Sequence, residues 1–136
     1  MKEVPALVCL LGIGTAAIIA LTELRQSPPG AQQTTLTPSA EFALLLIVDK
    51  SGGMAGRNIE IVKEACVKTA KNLSAKDVIG VLAFDFNPTL VLEFTEADRI
   101  DYIEQRILRL LASGGTRIYP ALVDALRLFE LDPRAR

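Results

Sequence analysis

A chain of 136 residues, half of them hydrophobic, has room for one domain plus an appendage and enough apolar sequence to bury a core. Its 15 basic and 16 acidic residues leave a formal net charge of −1 with no run of like charge, which argues against a nucleic-acid surface. Histidine is absent, so histidine general bases, Ser-His-Asp nucleophiles and the usual zinc sites are excluded, and the distant pair Cys9 and Cys66 cannot replace them.

From Val4 to Thr22 there are nineteen residues without a charge. As a helix they would reach about 28 Å, close to the hydrocarbon thickness of a bilayer. The sequence therefore predicts that residues 1–25 hold an uncleaved, single-pass transmembrane anchor, with the domain outside the cytoplasm. A cleaved signal peptide is the rival reading; Glu3 offsetting Lys2 and the poor cleavage site at Ala20-Leu21-Thr22 count against it. Gly12, Ala16 and Ala20 would share one stripe of such a helix, as ordinary small residues or as a close-approach surface. Residues 26–40, rich in Pro, Gln, Thr and Ser, read as a flexible linker.

Residues 41–136 alternate strand and helix. Phe42 to Val48 is an uninterrupted apolar run that stops on Asp49-Lys50-Ser51-Gly52-Gly53, the pattern of a strand buried on both faces. Residues 57–74 place Val62, Ala65, Cys66, Thr69 and Leu73 at helical spacing, with Glu60, Lys63, Glu64, Lys68 and Lys71 on the other side. A second strand, Val78 to Phe84, also ends on an acid, Asp85. Asn87-Pro88 turns the chain into a third strand, Thr89 to Phe94, paired with the second as a hairpin. Thr95 with Asp98 marks a helix start, followed by a stripe of Ile100, Ile103, Ile107, Leu110 and Leu111 that ends at Ser113-Gly114-Gly115. The last helix has Pro120 in its first turn, Leu122, Ala125, Leu126 and Phe129 on its apolar face, and Asp132-Pro133 as its stop.

In open parallel sheets, ligands bind at the carboxyl ends of the strands, where Asp49 and Ser51 lie. A carboxylate and a hydroxyl two residues apart can both point at one small, hard cation. Magnesium suits such a site because it takes oxygen ligands and keeps several of its waters. The plainer alternative is that Asp49 or Ser51 caps the helix beginning near residue 57. Met54 reads as packing, since a thioether is too soft for magnesium. Lys50 and Arg57 could screen the loop or meet an acidic partner; on a loop and at a helix start the plainer reading, that they are simply solvated, is favoured.

The order of motifs resembles the von Willebrand factor A (VWA) domain over roughly residues 42–132. Asp49-Lys50-Ser51-Gly52-Gly53-Met54 is similar to the family's Asp-x-Ser-x-Ser adhesion-site loop, and Gly114-Gly115-Thr116 to its second loop. The resemblance implies an α/β, Rossmann-like doubly wound sheet, here the incomplete N-terminal half of a VWA fold, as in bacterial membrane-anchored proteins of this kind. It also implies a magnesium site, with manganese or calcium as substitutes, using Asp49, Ser51 and Thr116. Gly53 falls where the family has its second serine. Asp85, ending its strand at the same edge of the sheet if the two strands are parallel, could orient a metal-bound water, or equally serve as the acid that initiates the turn at Asn87-Pro88.

The chain stops before the strand whose Thr-Asp-Gly-like turn would add another acid, so the cation site should be weak. In the family's strand order the 42–48 strand is central, and its far edge would stay open unless another polypeptide completes the sheet. The function implied is a membrane-tethered protein-interaction module rather than an enzyme, whose partner offers an acidic side chain to the cation. A degenerate module that works without metal, or binds nothing, is the alternative. A phosphate-handling enzyme using Asp49 as acceptor fits poorly, because Ser51 stands where a phosphatase would need a second acid.

Overall fold

The computed structural model describes residues 6–11, 17–21 and 42–135. Strands β1 (Ala6–Leu11), β2 (Ala17–Leu21), β3 (Ala43–Asp49), β4 (Val78–Phe84) and β5 (Pro88–Glu96) form one sheet in the order β2-β1-β3-β4-β5. Helices α1 (Arg57–Lys71), α2 (Ile100–Leu108) and α3 (Ile118–Leu131) complete an α/β fold. β4 runs parallel to β3 from Ala43 opposite Val78 to Asp49 opposite Phe84, and β5 returns antiparallel to β4. The carboxyl ends of β3 and β4 are thus brought level.

Alternation along β3 feeds two cores. Leu44, Leu46 and Val48 pack with Ile59, Val62, Cys66, Ile103 and Ile107 under α1 and α2. Ala43, Leu45 and Ile47 pack with Ala121 and Ala125 of α3 on the other face. All six residues from Ala43 to Val48 are buried, as the uninterrupted apolar run demands. Along β5 the register to β4 shifts between Ile79 and Leu82, and this irregularity sends Leu92 to the α1/α2 core and Phe94 to the α3 core. Phe94 meets Phe129 there with ring centroids 5.1 Å apart. Gly80 makes room for this arrangement, since a Cβ on it would lie 2.9 Å from Leu45 Cδ1.

The described residues do not support the membrane-spanning helix expected over Val4–Thr22. Within that span Ala6–Leu11 and Ala17–Leu21 are strands, β1 lying parallel to β3 with Ala6 opposite Ala43 and Leu11 opposite Val48, and β2 antiparallel to β1. An uncharged apolar run satisfies a helix and a buried strand equally well, and the open edge of β3 supplies backbone partners for the strand. Among the described residues no helix is long and apolar enough to cross a membrane. The same pairing corrects the expectation of an unpaired β3 edge, because the chain's own Ala6–Leu11 strand lies along it. The linker at 26–40 lies outside the described residues.

Smaller differences share one cause, that facing elements rather than periodicity decide burial. Lys63, placed on the polar side of its helix, is 5% exposed, its stem packed inward and its ammonium 2.8 Å from Glu60. β5 extends to Glu96, so α2 starts only at Ile100, after Arg99. Leu111, past the end of α2, is 76% exposed, and Leu126 on α3 is exposed too.

Candidate functional site

Three loops meet at the carboxyl edge of β3 and β4. After β3 the chain turns sharply: the Ser51 N–H donates to Asp49 Oδ1 at 2.8 Å, and a 3-10 turn follows at Gly52–Met54. Met54 is buried in the α1/α2 core, so it is a packing residue as expected. The residue that caps α1 is Gly56, with φ 74° and no side-chain cap bond. Neither Asp49 nor Ser51 caps α1; Ser51 instead takes the N-cap position of the short 3-10 turn, without a side-chain cap bond.

Main-chain hydrogen bonds stitch this loop to its neighbours. The Lys50 N–H donates to the Phe84 carbonyl at 2.8 Å, the Ser113 N–H to the Lys50 carbonyl at 2.8 Å, the Gly52 N–H to the Gly114 carbonyl at 2.9 Å, and the Arg117 N–H to the Asp85 carbonyl at 2.8 Å. The loop carrying Thr116 is therefore held against the loop carrying Asp49 and Ser51. Ser51 is buried, Asp49 half-buried and Thr116 exposed. Glycine suits the close approach along this seam. A Cβ on Gly52 would crowd the Gly114 carbonyl at 3.2 Å, and one on Gly115 would sit 2.4 Å from the ring of Phe86. Gly114 has φ 72° and lies against Asp85.

Asp85 reaches the same edge, as the parallel pairing of β3 and β4 required, but its carboxylate is engaged. Lys50 Nζ forms an ion pair with Asp85 Oδ2, the Asn87 N–H donates to Oδ1 at 3.1 Å, and Ser113 Oγ lies 3.4 Å from Oδ2. The Lys50 ammonium, helped by the Asn87 N–H, holds the Asp85 carboxyl below the ordinary carboxylate range. Sequence reasoning treated Lys50 as a solvated charge, and this is corrected: its side chain is 15% exposed. No local signal in the sequence marks this pair, because the two residues lie 35 positions apart in the chain.

Among the described residues no group of three or more His, Cys, Asp or Glu could hold a metal. A cation here would depend on one carboxylate, Asp49, with the hydroxyls of Ser51 and Thr116. Those hard oxygen donors fit magnesium in kind and are few in charge. At Gly53 a Cβ would meet nothing within 4 Å, so the loop has space for the serine side chain it lacks.

The description "von Willebrand factor type A domain" matches residues 44–136. The chain belongs to the von Willebrand factor type A domain family. Its VWA region is 37% identical over 75 residues to an uncharacterized protein of Synechocystis, covering 55% of this chain and 18% of that one. It is 32% identical over 92 residues to the inter-alpha-trypsin inhibitor heavy chain H4 of Bos taurus, covering 64% of this chain and 10% of the relative. Among solved structures, a von Willebrand factor type A protein from Catenulispora acidiphila superposes with a TM-score of 0.63 at 25% identity, over 67% of this chain and 23% of that one. The chain thus spans a small part of the length of the relatives it matches. VWA domains are generally protein-interaction modules rather than enzymes, and the α/β arrangement of β3 to β5 with its helices is the part of the VWA fold found here.

Proposed function

We infer that this VWA chain is a protein-interaction module in which a weakly held divalent cation, magnesium or manganese, bridges to an acidic side chain of the partner. The observation that supports this most is the loop seam: the Gly52 to Gly114 hydrogen bond sets the Asp49 and Ser51 loop against the loop of Thr116 at the carboxyl edge of the sheet. Asp49 would supply the anionic ligand and Ser51 and Thr116 the neutral ones. A bound cation would contribute Lewis acidity toward a partner carboxylate. The exposed Phe86, beside Gly115, and the exposed Ile118 and Tyr119, just past Arg117, would offer apolar contact at the rim.

Calorimetric titration of manganese or magnesium into the chain is expected to give one weak binding event that Asp49→Ala abolishes. Gly53→Ser should tighten it roughly tenfold, by returning an oxygen donor where the loop has room. A flat titration for both the parent and Gly53→Ser would reject the cation and leave a metal-free interaction module. The Lys50–Asp85 pair favours that second reading, since it supplies a cation of the chain's own at this edge.

A membrane tether through residues 4–22 and the strand pairing of residues 6–11 with β3 are competing fates of one apolar segment. Carbonate extraction of the expressed full chain separates them, a tether requiring retention in the membrane pellet.

A further inference from the structure

Lys50 lies between two proposed ligands, Asp49 and Ser51, yet each of its polar groups is directed to a neighbouring loop. Its N–H binds the end of β4 at the Phe84 carbonyl, and its carbonyl receives the Ser113 N–H. Its ammonium binds the Asp85 carboxylate, which Ser113 Oγ also approaches at 3.4 Å. The two side chains are 15% and 17% exposed, so this pair is less screened than one on an open surface. With Lys50 present, the local set of Asp49, Lys50 and Asp85 carries one net negative charge; without it, two.

The geometry points to Lys50 as a built-in counter-cation, a positioning residue whose ammonium draws the three loops together without metal and keeps divalent-cation affinity low. This rests on the cation reading given above. A divalent ion at Asp49 is repelled by the nearby ammonium and gains nothing from Asp85, whose charge is already compensated. Removing the ammonium while keeping a side chain of similar length reverses both effects. Arginine in its place keeps the charge.

The test measures manganese binding by calorimetry and the metal-free Tm in EDTA, on the full chain, for the parent, Lys50→Gln, Lys50→Arg and Gly53→Ser. Lys50→Gln is expected to bind manganese about tenfold more tightly than the parent, one unit charge having been removed close to the ion. Its metal-free Tm should fall by about 3 °C, whereas Lys50→Arg should stay near the parent in both measurements. Tighter binding together with lower metal-free stability is a combination that a purely structural lysine would not produce. If the parent or Gly53→Ser binds manganese and Lys50→Gln binds no better than the parent, the counter-cation role is overturned while the cation site survives. If no variant binds manganese, the cation reading falls and takes the affinity role of Lys50 with it. An unchanged metal-free Tm in Lys50→Gln overturns the loop-tying role in either case.

Discussion

The two faces of this sheet receive side chains from the same strands and are closed to different degrees. Under α1 and α2, Ile103 and Ile107 are fully buried against Leu46, Val48 and Cys66. Over the opposite face, α3 buries only Ala121 and Ala125 completely; Leu122, Leu128 and Phe129 stay partly buried and Leu126 and Leu131 exposed. A cavity of about 470 Å³, lined by Leu45, Leu90, Phe94, Leu128 and Leu131 among others, opens beside α3. A strand with apolar side chains on both faces prescribes two cores, but each core is only as complete as the elements laid over it.

The sharpest way to break this comparison is to truncate one side chain on each face. Ile103→Ala is expected to cost about 3 kcal/mol in urea unfolding, because it leaves a hole in a filled core. Leu128→Ala on the α3 face should cost about 1 kcal/mol, since its site is already partly open to solvent. Equal costs would mean that the two faces are equally packed.

A smaller effect concerns the loop edge. Asp85 has its pKa lowered by Lys50 in the folded chain, so its contribution to stability is present above the unfolded value, about 3.9, and is lost as pH falls through the folded value. Tm should therefore begin to decline below about pH 4, and in Lys50→Gln the part of that decline due to Asp85 should shrink. An identical acid limb in the two proteins would show that the pair does not bear on stability. The smallest effect is expected for Leu131→Ser, within about 0.5 kcal/mol of the parent, because Leu131 is 78% exposed. Light scattering of this variant should show less self-association than the parent if the open α3 face is adhesive.

Much of the architecture was legible along the chain. The run from Phe42 to Val48 has no polar residue and is too short for a buried helix between its turn formers, which points to a strand covered on both faces, and the second strand from Val78 to Phe84 repeats the pattern. The helices over 57–71 and 118–131 were legible from spacing, and the stop at Asp132-Pro133 from backbone chemistry. The candidate site was legible as Asp49 and Ser51, and as Thr116 through the family resemblance. Lys50 was not, because its role depends on Asp85 arriving from a strand 35 residues away in the chain. The fate of residues 4–22 was not legible either, because apolarity states that a segment leaves water and not what receives it.

By itself, then, the amino-acid sequence determined a doubly covered strand that ends in an acid, a hydroxyl and two glycines, since apolar runs and turn residues act locally. Only the tertiary structure decided which charge stands beside that acid, which face of the sheet is filled, and that β3 pairs with the amino-terminal segment. Those outcomes depend on contacts between residues distant in the chain, whose energies exist only once the sheet has brought them within reach.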